Sequence, residues 1–299
     1  MEEVILINHP YLDRYVNSFI LNTHNFSLLF DTGMKSGRQN IEDAATGFPA
    51  IFCTHGHFDH IGSHKYFQQK GAKVFAHQEE FLNMQDPERQ WNIGFAQFKN
   101  DCKVSPELKQ IFLEDNREPI KADVALDDGQ VLQYDNCSIE VLHTPGHTAG
   151  SLCYYLPKQD SLITGDTLMG SELYWSMPIY SDPVSYINSL KRIQQLKVEK
   201  VYACHDDMFL GKHLKQRTSY IIELVERFDK IIHDFFAARK NDNPPLLKEV
   251  VNALVSAENK QANTSTYTVV LGHLDYLYYK FPSAAALRDK YLPLKEKRF

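Results

Sequence analysis

From residue 4 to about 206 the chain alternates short apolar runs with turns and a few helical stretches, the texture of a layered α/β domain. VILINHP, NSFILNTH and FSLLFDTG predict three opening strands. AIFCTH, at residues 50–55, is an apolar run that stops abruptly in polar His and Gly, as a strand does when it hands side chains to a loop at a sheet edge. Residues 60–70 predict a helix closed by Gly71 at the C′ position, and KVFAH at 73–77 the next strand. Residues 84–120, punctuated by Pro87, Pro106 and Pro119, show no period and predict an insertion or lid.

DVALDDGQVLQY predicts a hairpin turning at Asp128-Gly129, and SIEVLHTPGH and SLCYYLPKQDSLITGDTL continue the strand pattern. Over 182–197, Asp182 is the expected N-cap and Pro183 the first helical residue, with Val184, Ile187, Leu190 and Ile193 on one face. VEKVYACHDD then predicts another strand ending in His. Beyond residue 211 the pattern turns helical, with a long amphipathic stretch from His213 to about Arg239. A stop at Asn243-Pro244-Pro245 and two further segments, LLKEVVNALV and TYTVVLGHLDYLYYKF, follow. The reading divides the chain into residues 1–211, carrying the chemistry, and a helical extension at 212–299.

Composition narrows the field. With 299 residues, 43% of them hydrophobic, there is ample material for a buried core. Thirty-two basic against 38 acidic residues leave a net charge of −6, which argues against broad electrostatic capture of nucleic acid. No apolar run reaches bilayer length and the start carries two acids, so a cytoplasmic protein without a membrane partner is expected. The five cysteines form no C-x-x-C pair, which indicates neither a disulfide framework nor a zinc ribbon.

The chemistry concentrates in Thr54-His55-Gly56-His57-Phe58-Asp59-His60, three imidazoles and a carboxylate directly after a strand. His55 and His57, two apart in extended chain, project to one side, while Asp59 and His60 lie where the chain turns into a helix and face a second point. Thr144-Pro145-Gly146-His147-Thr148, Thr164-Gly165-Asp166-Thr167 and Ala203-Cys204-His205-Asp206 each deliver one further ligand type at a strand end.

H-x-H-x-D-H followed by TPGHT, GDT and a last strand-end His resembles the metallo-β-lactamase superfamily, specifically its dinuclear hydrolases of the glyoxalase II type. The resemblance covers roughly residues 4–210. It implies a four-layered αβ/βα sandwich with metals at one edge between the sheets. It also implies that His55, His57 and His147 hold one metal and that Asp59, His60 and His205 hold the other, with Asp166 bridging them. Asp31, in Phe30-Asp31-Thr32-Gly33, matches the family's Asp that orients the metal-binding loop, an Asx-turn being the plainer reading. His143 is the rival of His147. His64, His77, His213, His233 and His273 are expected to play no metal role.

Imidazole and carboxylate suit two divalent cations, zinc first, with iron or manganese as alternatives. A carboxylate is the side chain that gives one oxygen to each of two close cations, and a hydroxide between them is then the nucleophile. No G-x-S-x-G elbow is present. Asp59 and Asp166 are the expected catalytic carboxylates, and Met169, Tyr174, Trp175 and Tyr180 the candidate substrate walls. Asp166 stands where β-lactamases of the superfamily have Cys or Ser, and Met169 where its lactonases have Tyr. The reading is a hydrolase of a small ester, thioester or lactone. The alternative is phosphodiester cleavage, because LLKEVVNALV and VVLGHLDYLYYKF resemble the winged-helix-like C-terminal segment of β-lactamase-like endoribonucleases, with RNA as partner. The apolar stripe of that segment otherwise covers the pocket or a homodimer interface. A non-catalytic metal-binding module ranks last, since the set leaves open coordination positions.

Overall fold

The computed structural model describes residues 3–12, 14–115, 118–169, 178–239 and 243–295. The first half lays down β1 (Val4–Tyr11), β2 (Arg14–Asn22), β3 (Ser27–Phe30), α1 (Arg38–Ala44), β4 (Ala50–Phe52), α2 (Phe58–Ile61), α3 (His64–Gln69) and β5 (Lys73–Ala76). It continues with α4 (Phe81–Gln85), α5 (Pro87–Gly94), α6 (Pro106–Asp115) and β6 (Val124–Ala125). Its six strands form one sheet in sequential order, antiparallel from β1 to β3 and parallel from β3 to β6.

The second half lays down β7 (Val131–Tyr134), β8 (Cys137–His143), β9 (Leu152–Leu156), β10 (Ser161–Gly165), α7 (Pro183–Ile193), β11 (Lys200–Ala203) and β12 (Phe209–Leu210). These strands form a second six-stranded sheet in which only β10 and β11 run parallel.

Alternation along the strands builds the layers. Phe19, Phe30 and Phe52 point between the sheets, where they meet Tyr154, Ile139 and Ile163 from the second sheet. The residues between them, Ile20, Leu29 and Ile51, point outward and are buried under α1 and α3 through Ile41 and Phe67. On the far side, Leu142, Leu162 and Val201 of the second sheet are covered by Tyr186, Leu190 and Ile193 of α7. The product is a helix–sheet–sheet–helix sandwich, because both faces of both sheets are apolar and each must be covered.

Two sequence expectations change. The Asp128-Gly129 turn closes no hairpin, since β6 belongs to the first sheet and β7 to the second. A tight-turn dipeptide redirects the chain whether or not its flanks pair, and here it carries the crossover. The hairpin comes next, with Tyr134 opposite Cys137 around Asp135 at φ 47°. The helix expected over 60–70 is broken into α2 and α3.

After β12 come α8 (Leu214–Ala237), α9 (Leu247–Ala257), α10 (Thr264–Leu277) and α11 (Pro282–Lys295). Among the described residues no strand follows Leu210, so a winged-helix hairpin is not seen there. Phe228, Val251, Val270 and Leu287 of these helices join the same buried cluster as α7, so side chains on both sides of residue 211 share one core. No helix among the described residues is long and apolar enough to cross a membrane.

Candidate metal centre

Four strand ends meet at one edge of the sandwich. The loop after β4 carries His55 and His57, with Asp59 and His60 on α2, and His147 lies in the turn after β8. Asp166 and His205 follow β10 and β11. At Asp166 the strand is pulled out of register between Ile163 and Gly165. Gly165 has φ 51°, and a Cβ there would lie 2.7 Å from the Thr54 side chain, so only glycine lets the second sheet approach the first this closely.

The donor atoms fall into two groups. His55, His57, His147 and Asp166 form one, and Asp59, His60 and His205 the other, each within 4.8 Å. In the first group His55 Nε2, His57 Nδ1 and His147 Nε2 lie 3.0–3.1 Å apart. Asp166 Oδ2 is 3.5 Å from His147 Nε2 and 3.8 Å from His55 Nε2. The same Oδ2 is 3.4 Å from His205 Nε2, while Oδ1 is 3.3 Å from His60 Nε2, so Asp166 faces both groups. Asp59 Oδ2 lies 3.5 Å from His205 Nε2.

The outer hydrogen bonds set the ring tautomers. His147 Nδ1 donates to the Ile179 carbonyl at 2.8 Å, and His205 Nδ1 to that of Tyr15 at 2.8 Å. Thr54 Oγ1 donates to Asp31 Oδ2 at 2.6 Å, which leaves its oxygen to accept from His55 Nδ1. His60 Nδ1 donates to Asp31 Oδ2 at 2.9 Å. The Nε2 atoms of all four rings are therefore turned inward, those of His55 and His147 as bare lone pairs and those of His60 and His205 toward the Asp166 carboxylate. Bare nitrogens of His55 and His147 only 3.1 Å apart repel. His60 Nε2 and Asp166 Oδ1 are buried without a directed hydrogen bond. Both features fit divalent cations seated among them, in sites of imidazole and carboxylate ligands with the rings oriented from behind.

Electrostatics separates the groups. Burial, reinforced by neighbouring imidazoles, drives His55 well below the usual histidine range and His57 down to about 3. Burial lowers His147 too, against the pull of Asp166. Burial also opposes charge on His60 and His205, yet the carboxylates of Asp166 and Asp59 outweigh it and raise both. Asp166 is pushed up by burial but brought well below the carboxylate range by His205 and His60.

Asp31 is fully buried below the loop, and besides Thr54 Oγ1 and His60 its carboxylate accepts the Thr54 N–H at 2.7 Å. Its backbone is left-handed at φ 52°, a conformation that costs energy in a non-glycine residue and is held here by those bonds. His143 stacks on His77 with ring centroids 4.1 Å apart and bonds the Ala149 carbonyl, outside both groups.

A cavity of about 340 Å³ opens over the donors, and His57, Asp59, His147, Asp166 and His205 line it. Its other walls come from α5, the segment through α6 and the start of α10. Residues 84–120 thus form helices that wall the cavity. Met169 lines it as well. Tyr180 does not: its ring stacks on Tyr186 in the core and its hydroxyl donates to His273 Nε2 at 2.8 Å, because the C-terminal helices enclose it. Tyr174 and Trp175 lie outside the described residues.

Sequence reasoning missed Tyr11, which donates from the end of β1 to Asp59 Oδ2 at 2.9 Å, and Glu80, a buried carboxylate behind the His55–His57 loop. No motif around Tyr11 or Glu80 in the sequence marks either as a partner of the candidate ligands.

The family model described as the metallo-beta-lactamase superfamily matches residues 11–205. A hydroxyacylglutathione hydrolase of Pelagibacter ubique is 26% identical over 214 residues, 70% of this chain and 71% of that protein. The acyl-coenzyme A thioesterase MBLAC2 of Homo sapiens is 27% identical over 200 residues, 65% of this chain and 69% of that protein. The crystal structure of a metallo-beta-lactamase family protein from Thermus thermophilus matches with a TM-score of 0.73 at 24% identity, covering 93% of each chain.

Proposed function

Since the chain belongs to the metallo-beta-lactamase superfamily, we propose that it is a two-metal hydrolase acting on a small acyl thioester. His55, His57 and His147 would hold one cation and Asp59, His60 and His205 the other, with Asp166 giving an oxygen to each. Zinc is the first choice, iron or manganese the alternatives. One observation carries the reading: two donor groups that share one carboxylate form the floor of a single cavity. Bound there, a cation pair supplies an activated water and polarises the substrate carbonyl.

This chain's own residues then have separate tasks. Asp166 neutralises charge on both sides. Asp31 and the Ile179 and Tyr15 carbonyls keep His60, His147 and His205 turned with Nε2 inward. Tyr11 holds Asp59 as a carboxylate by donating to Oδ2. Phe58, Phe95, Leu108 and Met169 present an apolar wall to an acyl chain and exclude water from it.

The thioester is preferred over an alkyl ester on two grounds. Acyl glutathione and acyl-coenzyme A, in the names of the two relatives, are thioesters. A thiol of pKa about 8.5 also departs as thiolate without a strong general acid. The test is turnover by metal-loaded protein on an acyl glutathione, an acyl-coenzyme A, a lactone, an aryl phosphodiester and single-stranded RNA. Thiol release that stops on chelation is expected. Turnover confined to the phosphodiester and RNA would replace this reading with the nuclease one, and retained metal without any turnover would leave a binding module.

A further inference from the structure

The geometry points to Glu80 as the positioning residue that sets the spacing of the His55, His57 and His147 group. This rests on the metal-hydrolase reading above. Glu80 sits in the short turn after β5 and is 1% exposed. Its Oε2 accepts the Gly56 N–H at 2.9 Å. Its Oε1 accepts the Gly150 N–H at 2.9 Å and the Thr148 hydroxyl at 2.6 Å. Gly56 is the residue between His55 and His57, and Thr148 follows His147. A single carboxylate therefore spans the two loops that supply the three imidazoles, and those loops leave different sheets.

The fit is close on both sides. A Cβ on Gly56 would come within 2.8 Å of Oε2, and one on Gly150 within 2.7 Å of Glu80 Cγ. From the other face of the same loop, the Gln90 Nε2 donates to the Gly56 carbonyl at 2.5 Å. The residue separating two donors is thus gripped by both its N–H and its C=O. A buried carboxylate is costly unless its oxygens are satisfied, and among the described residues Glu80 has no ion pair, so hydrogen-bond donors alone meet its charge. The arrangement demands acceptors on both oxygens, which a carboxylate supplies and a carboxamide does not.

The test compares Glu80→Gln and Glu80→Ala with the parent protein. Its readouts are Zn(II) affinity by chelator competition, the Co(II) absorption spectrum, and hydrogen exchange of the Gly56 and Gly150 amides together with thermal unfolding, both in metal-free protein. In Glu80→Gln we expect one Zn(II) equivalent weakened about 10- to 100-fold, as for other groups that orient metal ligands. The other equivalent should be unchanged, the Co(II) spectrum altered, and at least one of the two amides less protected. Excess Zn(II) should restore thioester turnover at an unchanged KM. Should Glu80→Ala fail to fold, Thr148→Val removes one arm of the brace and should weaken the same equivalent by less. Wild-type affinity for both equivalents in Glu80→Gln overturns the brace alone, as does equal weakening of both together with a lower unfolding temperature of the metal-free protein. A parent protein that binds none of Zn(II), Fe(II) and Mn(II) overturns the hydrolase reading and the brace with it.

Discussion

The two donor groups are supported in different ways. Behind His55 and His147 stand a hydroxyl and a carbonyl, and their loop peptides are held from outside. Behind His60 stands the buried Asp31 carboxylate, and Tyr11 holds Asp59. The first group therefore owes its spacing to peptide loops, whereas in the second His60 and Asp59 lean on side chains rooted in the first sheet and His205 on the Tyr15 carbonyl. Charge follows the same division: the first group is held neutral by burial, while carboxylates draw positive charge toward His60 and His205. Asp166, counted with the first group, also faces His60 and His205 of the second.

Removing that shared residue should erase the distinction. Asp166→Ala is expected to leave at most one metal equivalent and to cost several kcal/mol of transition-state stabilisation, about a thousandfold in rate. Metal analysis beside a thioester assay reads both, and full activity with two metals would refute the sharing role.

Asp31→Ala strikes the second group directly, through His60, and the first at one remove, through the Thr54 hydroxyl behind His55. It strands the buried Thr54 N–H and frees the His60 ring, for a loss of about 4 kcal/mol in folding stability. Denaturant unfolding of metal-free protein measures it, and a loss under about 1 kcal/mol would mean the buried bonds find other partners.

His9 sharpens the same contrast through pH. It is buried beside Gly33, bonding the Met34 carbonyl through Nδ1 at 3.0 Å and the Ser18 hydroxyl through Nε2 at 2.8 Å, and Gly33 N–H in turn bonds the His60 carbonyl. Burial, aided by His60, holds its pKa down at about 4 from 6.5 despite the Met34 bond. Below pH 6.5 the unfolded chain then takes up a proton that the folded chain refuses. Its contribution is complete above pH 6.5 and is lost as pH falls through about 4, by about 3 kcal/mol in all. His9→Gln should flatten that part of the stability profile; an equally steep decline in the variant would assign it to other groups.

The smallest effect is expected from Tyr11→Phe, which removes one hydrogen bond to a carboxylate. About 1.5 kcal/mol, near tenfold in retention of the more weakly held metal, is the predicted loss. Chelator competition reads it.

What the sequence disclosed follows from range. The paired imidazoles of His55 and His57, the N-cap of Asp182 and the alternation through Leu28, Leu29 and Phe30 are encoded within a few residues, and the structure puts each where local rules place it. Glu80 reaches 70 residues ahead to Gly150, and Tyr11 reaches 48 to Asp59, with no spacing to announce either. Asp128-Gly129 shows the converse. Its turn chemistry is local, but which sheet its flanks join depends on where each finds an open edge, and that is a property of the whole sandwich.

The cavity floor and the cavity walls come from separate parts of the chain. The donors project from strand ends, while much of the enclosure is contributed by α5, α6 and the first turn of α10, which carry none of them. Substitutions in those sleeves can change which molecules are admitted while the reactive machinery stays as it is. A protein assembled this way can acquire new clientele without relearning its chemistry.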